Sequence, residues 1–498
     1  MLDASRADLV AAVAGAGTMG RGIAQVLAQC GARTLLYDAQ PGAAQKGRDG
    51  IAQALGKLAE KGKLAAGEAE KIVQRIEVVA SLEALKPAHV VVEAIVEDLE
   101  AKRKLFAALE AIVPESTILA SNTSSLSVTA MAAACKRPGR VAGYHFFNPV
   151  PVLKIVEVVD GVRTEPWATD ALAALAKRFG HAAVRCKDTP GFIVNHAGRA
   201  FVPEALRVLS EGVADFATID RILVGAAGFR IGPFGLMDLV GLDVNHAVMQ
   251  SMYHQYFEEP KYKPSFLVEA RVAAGLLGRK TGRGWYEYGK DGIAVAVPER
   301  QMSGEAPEAV WCVPQLKDLL SKFKVKSESK PTPSTVNFIA PLGQDATTAA
   351  LELGLDPART VAVDPLFGFA KRRTLMLNPA TKADVAEAAH ALLASDGVPV
   401  SVIRDSPGFV AQRVVAHIVN VGCDIMQMRI CSPEDLDRAV MLGLGYPQGP
   451  LGMGDALGAG KILQVLEAMH AAQLDPRYRP SPWLRRRARL GVSLLTPE

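Results

Sequence analysis

LVAAVAGAGTMGRGIAQVLAQCGARTLLYD, residues 9–38, is the stretch whose reading decides the fold. Leu9 to Ala14 form a short apolar run. Gly15-Ala16-Gly17-Thr18-Met19-Gly20 then spells GxGxxG, and a helical pattern follows from Arg21 to Gln29. A strand before the glycines and a helix after them is the setting that motif needs. The first glycine makes the turn, the second lets a pyrophosphate approach the backbone, and the third lets helix and strand pack closely. Gly15, Gly17, Thr18, Met19 and Gly20 are therefore candidate cofactor contacts. The next strand, Thr34 to Tyr37, ends on Asp38. An acid there accepts hydrogen bonds from an adenosine ribose and repels a 2′-phosphate, which favours NAD over NADP.

Outward from this unit the pattern stays α/β. The segment from Ala43 to Arg75 is helical and lysine-rich around Lys57, Lys61 and Lys63, which reads first as a solvated face. A doubly wound fold needs no helical hairpin here, so a binding arm is the competing reading. A buried strand runs from His89 to Val96 and closes on Glu97. An amphipathic helix from Leu99 to Ile112 follows, then a strand, Thr117 to Ala120, that leads into Ser121-Asn122-Thr123-Ser124-Ser125. Glu97 and Ser124 fall beyond the carboxyl ends of strands, where open parallel sheets bind ligands. Ser121 and Ser125 are expected to cap the helix beginning near Leu126.

Residues 143–157, GYHFFNPVPVLKIVE, carry the candidate chemistry. Glu157 lies inside the β-branched run 155–159, where a charge is costly unless paired. His145 is the titratable partner within the motif. A reversal centred on Pro151, equidistant from both, would set them side by side. A carboxylate behind an imidazole fixes its tautomer and supports the imidazolium, which makes histidine a general base. From Asp188 the period changes to helix, with Asn195 beside an apolar face in Phe192-Ile193-Val194-Asn195. A buried amide there could meet a substrate carbonyl or hydroxyl.

The 498 residues, 49% of them hydrophobic, suffice for more than one core. A formal charge of +4 is too mild to argue for nucleic acid. Six cysteines without CxxC or metal-ligand spacing point to reduced thiols, and no metal site is expected. The apolar start lacks a basic n-region, and no apolar run is long enough to span a membrane, so a soluble cytoplasmic protein is expected.

The first 290 residues resemble the 3-hydroxyacyl-CoA dehydrogenases of β-oxidation. The resemblance rests on GAGTMGRGIA (15–24), VEAIVEDLEAKRKLF (92–106), SNTSSLSV (121–128), GYHFFNPVPVLKIVEVV (143–159), DTPGFIVN (188–195) and GRKTGRGWYEY (278–288). It implies NAD-dependent oxidation of (S)-3-hydroxyacyl-CoA to 3-oxoacyl-CoA, with His145 as base and Glu157 orienting it. It also implies that Ser124 and Asn195 hydrogen-bond the reacting group, and that Asn148 steadies the loop. Asp38, Glu97, Lys102 and Asn122 match cofactor positions. Lys57 and Lys61 match positions that meet the CoA phosphates, which favours the binding-arm reading.

The second half repeats part of the first. Asp405-Ser406-Pro407-Gly408-Phe409 repeats Asp188-Thr189-Pro190-Gly191-Phe192 at an offset of 405 − 188 = 217 residues, and the same offset pairs Asp220 with Asp437 and Asp238 with Asp455. Gln412 stands where Asn195 was. The run Val361 to Phe367 resembles Val141 to Phe147, with Pro365 in the place of His145, and no GxGxxG precedes it. The expected fold is a Rossmann-type NAD-binding α/β domain (1–187), an all-α domain (188–290), a linker with some strand (291–333), a degenerate Rossmann-like segment (334–404) and a second copy of the all-α domain (405–498). The arrangement is similar to the long bacterial form associated with phenylacetate breakdown, whose substrate is 3-hydroxyadipyl-CoA. The two helical copies are expected to form an intrachain pseudo-dimer, with a homo-oligomer left open. Two other readings compete. One is a β-hydroxyacid dehydrogenase of the 6-phosphogluconate type, against which stand the 143–157 motif and Asn195 in place of a catalytic lysine. The other is a non-catalytic NAD- or acyl-CoA-binding protein, against which stands the intact set His145, Glu157, Ser124 and Asn195.

Overall fold

The computed structural model describes residues 3–498. Two compact units emerge: Met1–His196 with Arg429–Leu444, and Ala197–Met428 with Gly445–Glu498.

The first unit is built on an eight-stranded sheet. Its strands are β1 (Val10–Ala14), β2 (Arg33–Tyr37), β3 (Ile76–Val78), β4 (Val90–Glu93), β5 (Ile118–Ser121), β6 (Val141–Phe146), β7 (Ile155–Asp160) and β8 (Ala182–Lys187), in the spatial order β3-β2-β1-β4-β5-β6-β7-β8. All neighbours are parallel except β6 and β7. Near-continuous apolar strands such as Val90-Val91-Val92 suit a sheet covered on both faces, and all three valines are buried. The helix Thr18–Gln29 follows β1 directly and Leu99–Ile112 follows β4, as the glycine motif and the amphipathic pattern require. The lysine-rich segment is a helical hairpin, Ala43–Glu60 and Glu68–Gln74.

The second unit holds most of both helical copies and a six-stranded sheet. Its strands are β9 (Ala309–Cys312), β10 (Lys326–Ser327), β11 (Val336–Ile339), β12 (Thr360–Val363), β13 (Arg373–Leu377) and β14 (Val400–Arg404), in the order β10-β9-β11-β12-β13-β14. The last four repeat β5 to β8 in order and direction, with one antiparallel pair, β12 and β13. The stretch 291–333 contributes β9 and β10 to this sheet, in keeping with the strand expected within the linker. Val310 and Cys312 are buried in β9, which pairs with β11.

The repeated turns confirm the duplication in backbone detail. Gly191 and Phe192 sit at φ 74° and 49°, and Gly408 and Phe409 at 79° and 52°. Left-handed φ at a phenylalanine is uncommon, and both rings are buried. In the second unit the helices Phe201–Ser210 and Ala411–Gln427, one from each copy, pack together. Between them Arg413 Nε donates to Glu204 Oε1 (3.0 Å), Tyr478 Oη donates to the same oxygen (2.7 Å), and Arg413 Nη1 donates to Glu211 Oε2 (2.6 Å). Glu204 and Arg413 are fully buried. Burial alone would raise the Glu204 pKa, but the Arg413 and Arg477 charges outweigh it and hold it at about 2. Removing either partner would strand a buried charge.

Candidate active site

β6 and β7 bring the expected pair together. Their register sets His145 opposite Glu157, as the reversal around Pro151 predicted, and the turn between them contains a cis Asn148–Pro149 bond. His145 Nδ1 lies 2.5 Å from Glu157 Oε2, and Glu157 is fully buried. The other carboxylate oxygen, Oε1, accepts from the backbone N–H groups of Ile193 (3.0 Å) and Val194 (2.8 Å). Both lie at the start of the short helix Val194–Ala197. Glu157 is thereby satisfied on both oxygens and fixed against rotation. With Nδ1 committed to the carboxylate, Nε2 is the nitrogen available to a substrate. Phe147 and Phe192 flank the imidazole at ring-centroid distances of 4.4 and 5.8 Å.

Ser124 and Asn195 meet each other: Asn195 Nδ2 donates to the Ser124 carbonyl oxygen at 3.3 Å. Ser124 N–H donates to Glu97 Oε1 (2.9 Å), and Thr123 Oγ1 donates to the same oxygen (2.6 Å). Asn122 Oδ1 accepts from Phe146 N–H (2.9 Å), which ties the loop after β5 to the strand carrying His145. Ser121 and Ser125 do not cap a helix as expected. Ser121 Oγ donates to Glu93 and Ser125 Oγ to Glu97, while Ser127 caps the helix Val128–Ala132. The carboxylates at the neighbouring strand ends outcompete the helix terminus for these hydroxyls.

Lys102 is buried rather than extended toward a ligand. Its Nζ bridges Glu93 Oε1 (2.6 Å) and Glu97 Oε2 (3.1 Å). Burial would raise the Glu97 pKa, yet the Lys102 charge and the Thr123 and Ser124 hydrogen bonds outweigh it and draw the carboxyl below its usual range. Sequence reasoning passed over Glu93, although an acid inside Val-Val-Val-Glu-Ala-Ile carries the same signal that exposed Glu157. It also passed over the Ile193 and Val194 amides, because a backbone donor leaves no trace in residue type.

The glycine loop fits a dinucleotide. Gly15 has φ 108°, and a Cβ there would lie 2.4 Å from the Ala94 carbonyl oxygen; at Gly20 it would lie 1.8 Å from that of Gly15. At Gly17 it would meet nothing within 4 Å, so this face of the loop is open for a pyrophosphate. Asp38 Oδ2 accepts from Ala16 N–H (2.7 Å), joining the acid at the end of β2 to the loop. Thr18 and Met19 open the helix that follows. Lys57 and Lys61 are exposed one turn apart at the end of Ala43–Glu60, and Asn148 is exposed in its turn. Among the described residues no group of three or more His, Cys, Asp or Glu side chains could hold a metal ion. No helix among them is long and apolar enough to cross a membrane.

Comparison with known proteins agrees with this geometry. The NAD-binding domain of 3-hydroxyacyl-CoA dehydrogenases matches residues 10–189, and their C-terminal domain matches twice, at 191–288 and 408–493. The 3-hydroxyadipyl-CoA dehydrogenase of Escherichia coli K12 is 39% identical over 480 residues, covering 96% of this chain and 97% of that protein. The chain belongs to the 3-hydroxyacyl-CoA dehydrogenase family. It is an NAD-dependent enzyme of that family, with the two-fold C-terminal domain of the longer members. A crystal structure of 3-hydroxybutyryl-CoA dehydrogenase from E. coli K12 superposes with a TM-score of 0.86 at 38% identity, covering 97% of this chain and 99% of that one. Shorter family members match the first half alone. The probable 3-hydroxybutyryl-CoA dehydrogenase of Bacillus subtilis 168 is 42% identical over 276 residues, 55% of this chain and 96% of its own length.

The second sheet answers the question left by Pro365. β12 and β13 pair Val363 with Leu375, and Asp364 N–H donates to the Thr374 carbonyl (3.2 Å). Thr374 lies 217 residues beyond Glu157, and both pair with strand residues at that same offset, Ser401 and Val184. Asp364, not Pro365, therefore holds the place of His145; the strand is displaced from the alignment by one residue. Gln412 Nε2 donates to the Pro341 carbonyl (3.2 Å), the equivalent of Asn195 and Ser124. The extra methylene lets it donate also to Asp364 Oδ1 (2.9 Å), and Gly343 N–H donates to its Oε1 (2.9 Å). All three side chains, Asp364, Thr374 and Gln412, are buried. This counterpart is filled by its own side chains.

Proposed function

We propose that the chain oxidises (S)-3-hydroxyacyl-CoA to 3-oxoacyl-CoA with His145 as general base and Glu157 as its orienting partner. The 2.5 Å contact between His145 Nδ1 and Glu157 Oε2, with Oε1 held by two backbone amides, carries this reading. His145 Nε2 takes the proton of the C3 hydroxyl, and Glu157 stabilises the imidazolium that forms. NAD⁺, when bound, supplies the acceptor for the hydride that leaves C3. The residues that would hold it are Gly15, Gly17, Thr18, Met19 and Gly20 at the pyrophosphate and Asp38 at the adenosine ribose, with Asn122 and the Glu97–Lys102 pair shaping the floor beyond β4 and β5. Ser124 and Asn195 hydrogen-bond the substrate oxygen, Lys57 and Lys61 meet the CoA phosphates, and Asn148 steadies the turn.

The acyl group we favour is 3-hydroxyadipyl, because the long relative with that name aligns over nearly the whole chain; 3-hydroxybutyryl is the alternative, favoured by the solved long structure. The helical copies act as an intrachain pseudo-dimer. Two contacts support this: Lys187 N–H donates to the Ile430 carbonyl, and Arg404 N–H donates to the Val213 carbonyl, both at 2.9 Å. Each is the other shifted by the repeat offset, as an isologous contact demands. Further homo-oligomerisation is compatible with this arrangement. Six cysteines free of disulfides suit a cytoplasmic setting.

Specificity constants for 3-hydroxybutyryl-, 3-hydroxyadipyl- and a long-chain 3-hydroxyacyl-CoA, each with NAD and NADP, test the reading. We expect the highest value with 3-hydroxyadipyl-CoA and NAD, and an Asp38→Ala variant that loses much of the NAD preference. Equal use of NADP by the native enzyme would contradict the role of Asp38.

A further inference from the structure

The helix Pro433–Leu444 belongs in sequence to the second helical copy, yet it lies in the first unit, packed on β7 and β8. Asp435 Oδ2 accepts from Arg185 N–H on β8 (3.2 Å), and Lys187 N–H reaches the Ile430 carbonyl just before the helix. At its other end stands Gly443. A Cβ built there would lie 3.0 Å from both Cγ atoms of Val194, inside the 3.5–4.0 Å at which carbon atoms normally rest. Val194 is buried, and its N–H is one of the two that hold Glu157 Oε1.

Gly443 has no conformational reason to be glycine. Glycines with left-handed φ in this turn include Gly445, at φ 68°, but not Gly443, which lies within the helix. Glycine in a helix costs up to about 1 kcal/mol relative to alanine. Its use here points to space. At the repeat offset, Ala226 stands for Gly443 and Ala411 for Val194. The half with the histidine thus pairs the smallest residue with a β-branched one; the half without it has alanine at both positions.

We infer that Gly443 is a positioning residue for the dehydrogenase reaction: it lets the 433–444 helix close on Val194 and so sets the amide that holds Glu157 behind His145. The inference rests on the reading of His145 and Glu157 as the catalytic pair. It makes part of the second half a component of the first half's active site.

The test uses the full-length enzyme with Gly443→Ala, Gly443→Val and the double variant Gly443→Ala/Val194→Ala, measured for kcat, KM, the pH dependence of kcat and Tm. A misplacement on the order of 1 Å costs about 10²-fold in rate, so Gly443→Val should lower kcat by about tenfold or more and Gly443→Ala by a smaller factor. The KM for NAD should stay within about twofold, since uniform binding is untouched. The pH profile of kcat should move, because the hold of Glu157 on His145 changes. The Tm of Gly443→Ala should change little, since its better helix propensity is offset by the close contact with Val194. The double variant, which removes the two Cγ atoms, should recover most of the rate. Wild-type kcat and an unmoved pH profile in both single variants would overturn the inference. A His145→Gln control separates the two levels. If it keeps full rate, the catalytic pair itself is misread; if it falls while Gly443→Val does not, only the present inference fails.

Discussion

On β6 and β7 His145 faces Glu157; just beyond β12, Asp364 faces Thr374 on β13. The strands around each pair run in the same order and direction, and an amide side chain reaches the same loop carbonyl in both, from Asn195 in one and Gln412 in the other. The difference lies in what the amide does next. Gln412, one methylene longer than Asn195, donates also to Asp364 and occupies the space itself. The same frame is therefore a candidate reaction site in one half and a packed interior in the other. A longer amide, an aspartate in place of the imidazole and a threonine in place of the glutamate mark the change. The glycine loop is a further difference: the second sheet follows no such turn, so one NAD per chain is expected.

Truncation breaks the comparison most severely. A chain ending after Tyr288 lacks the helix Pro433–Leu444 on β7 and β8 and the helix Ala411–Gln427 on Phe201–Ser210. Glu204 would lose Arg413 and Tyr478 together with the helix that covers it, so a face built to be buried is left open. Self-association, aggregation or a large loss of stability is expected in sedimentation and thermal unfolding, with kcat below that of the full chain. A soluble, monomeric fragment with full activity and unchanged acyl specificity would show the second half to be a passenger.

A smaller effect sharpens the comparison from the other side. Burial pushes the Asp364 carboxyl up to about 6, against the lowering effect of hydrogen bonds from Gln412 and Leu366. With the folded pKa raised above the ordinary 3.8, the fold favours the protonated acid. Its contribution is complete below the unfolded value and is lost as pH rises through about 6. Asp364→Asn removes this dependence. Its Tm should gain on the wild type as pH rises from about 4 to about 6, while kcat stays unchanged. Parallel Tm curves would place the charge of Asp364 elsewhere, and a fall in kcat would make the second sheet more than a scaffold.

Most of the frame was legible in residue types. The glycine loop with Asp38, the acid inside the β-branched run at Glu157 and the turn between them all depend on side chains or spacing. The repeated DTPGF and DSPGF turns were equally legible. Three things were not. The amides of Ile193 and Val194 are backbone groups that any residue could supply. The exchange of the helix Pro433–Leu444 into the first unit depends on long-range packing, and no local period announces it. The displacement that puts Asp364 at the place of His145 arises because sheet pairing, rather than letter matching, sets register.

Single-turnover formation of NADH in the full-length enzyme tests the central claim most directly. Wild type and His145→Gln, each saturated with NAD and mixed with 3-hydroxyacyl-CoA, would be compared alongside NAD binding isotherms. A positioned general base contributes about 10²–10⁴ in rate, so His145→Gln should slow NADH formation by that order while its NAD affinity stays nearly unchanged. Undiminished NADH formation by His145→Gln would contradict the account of this site.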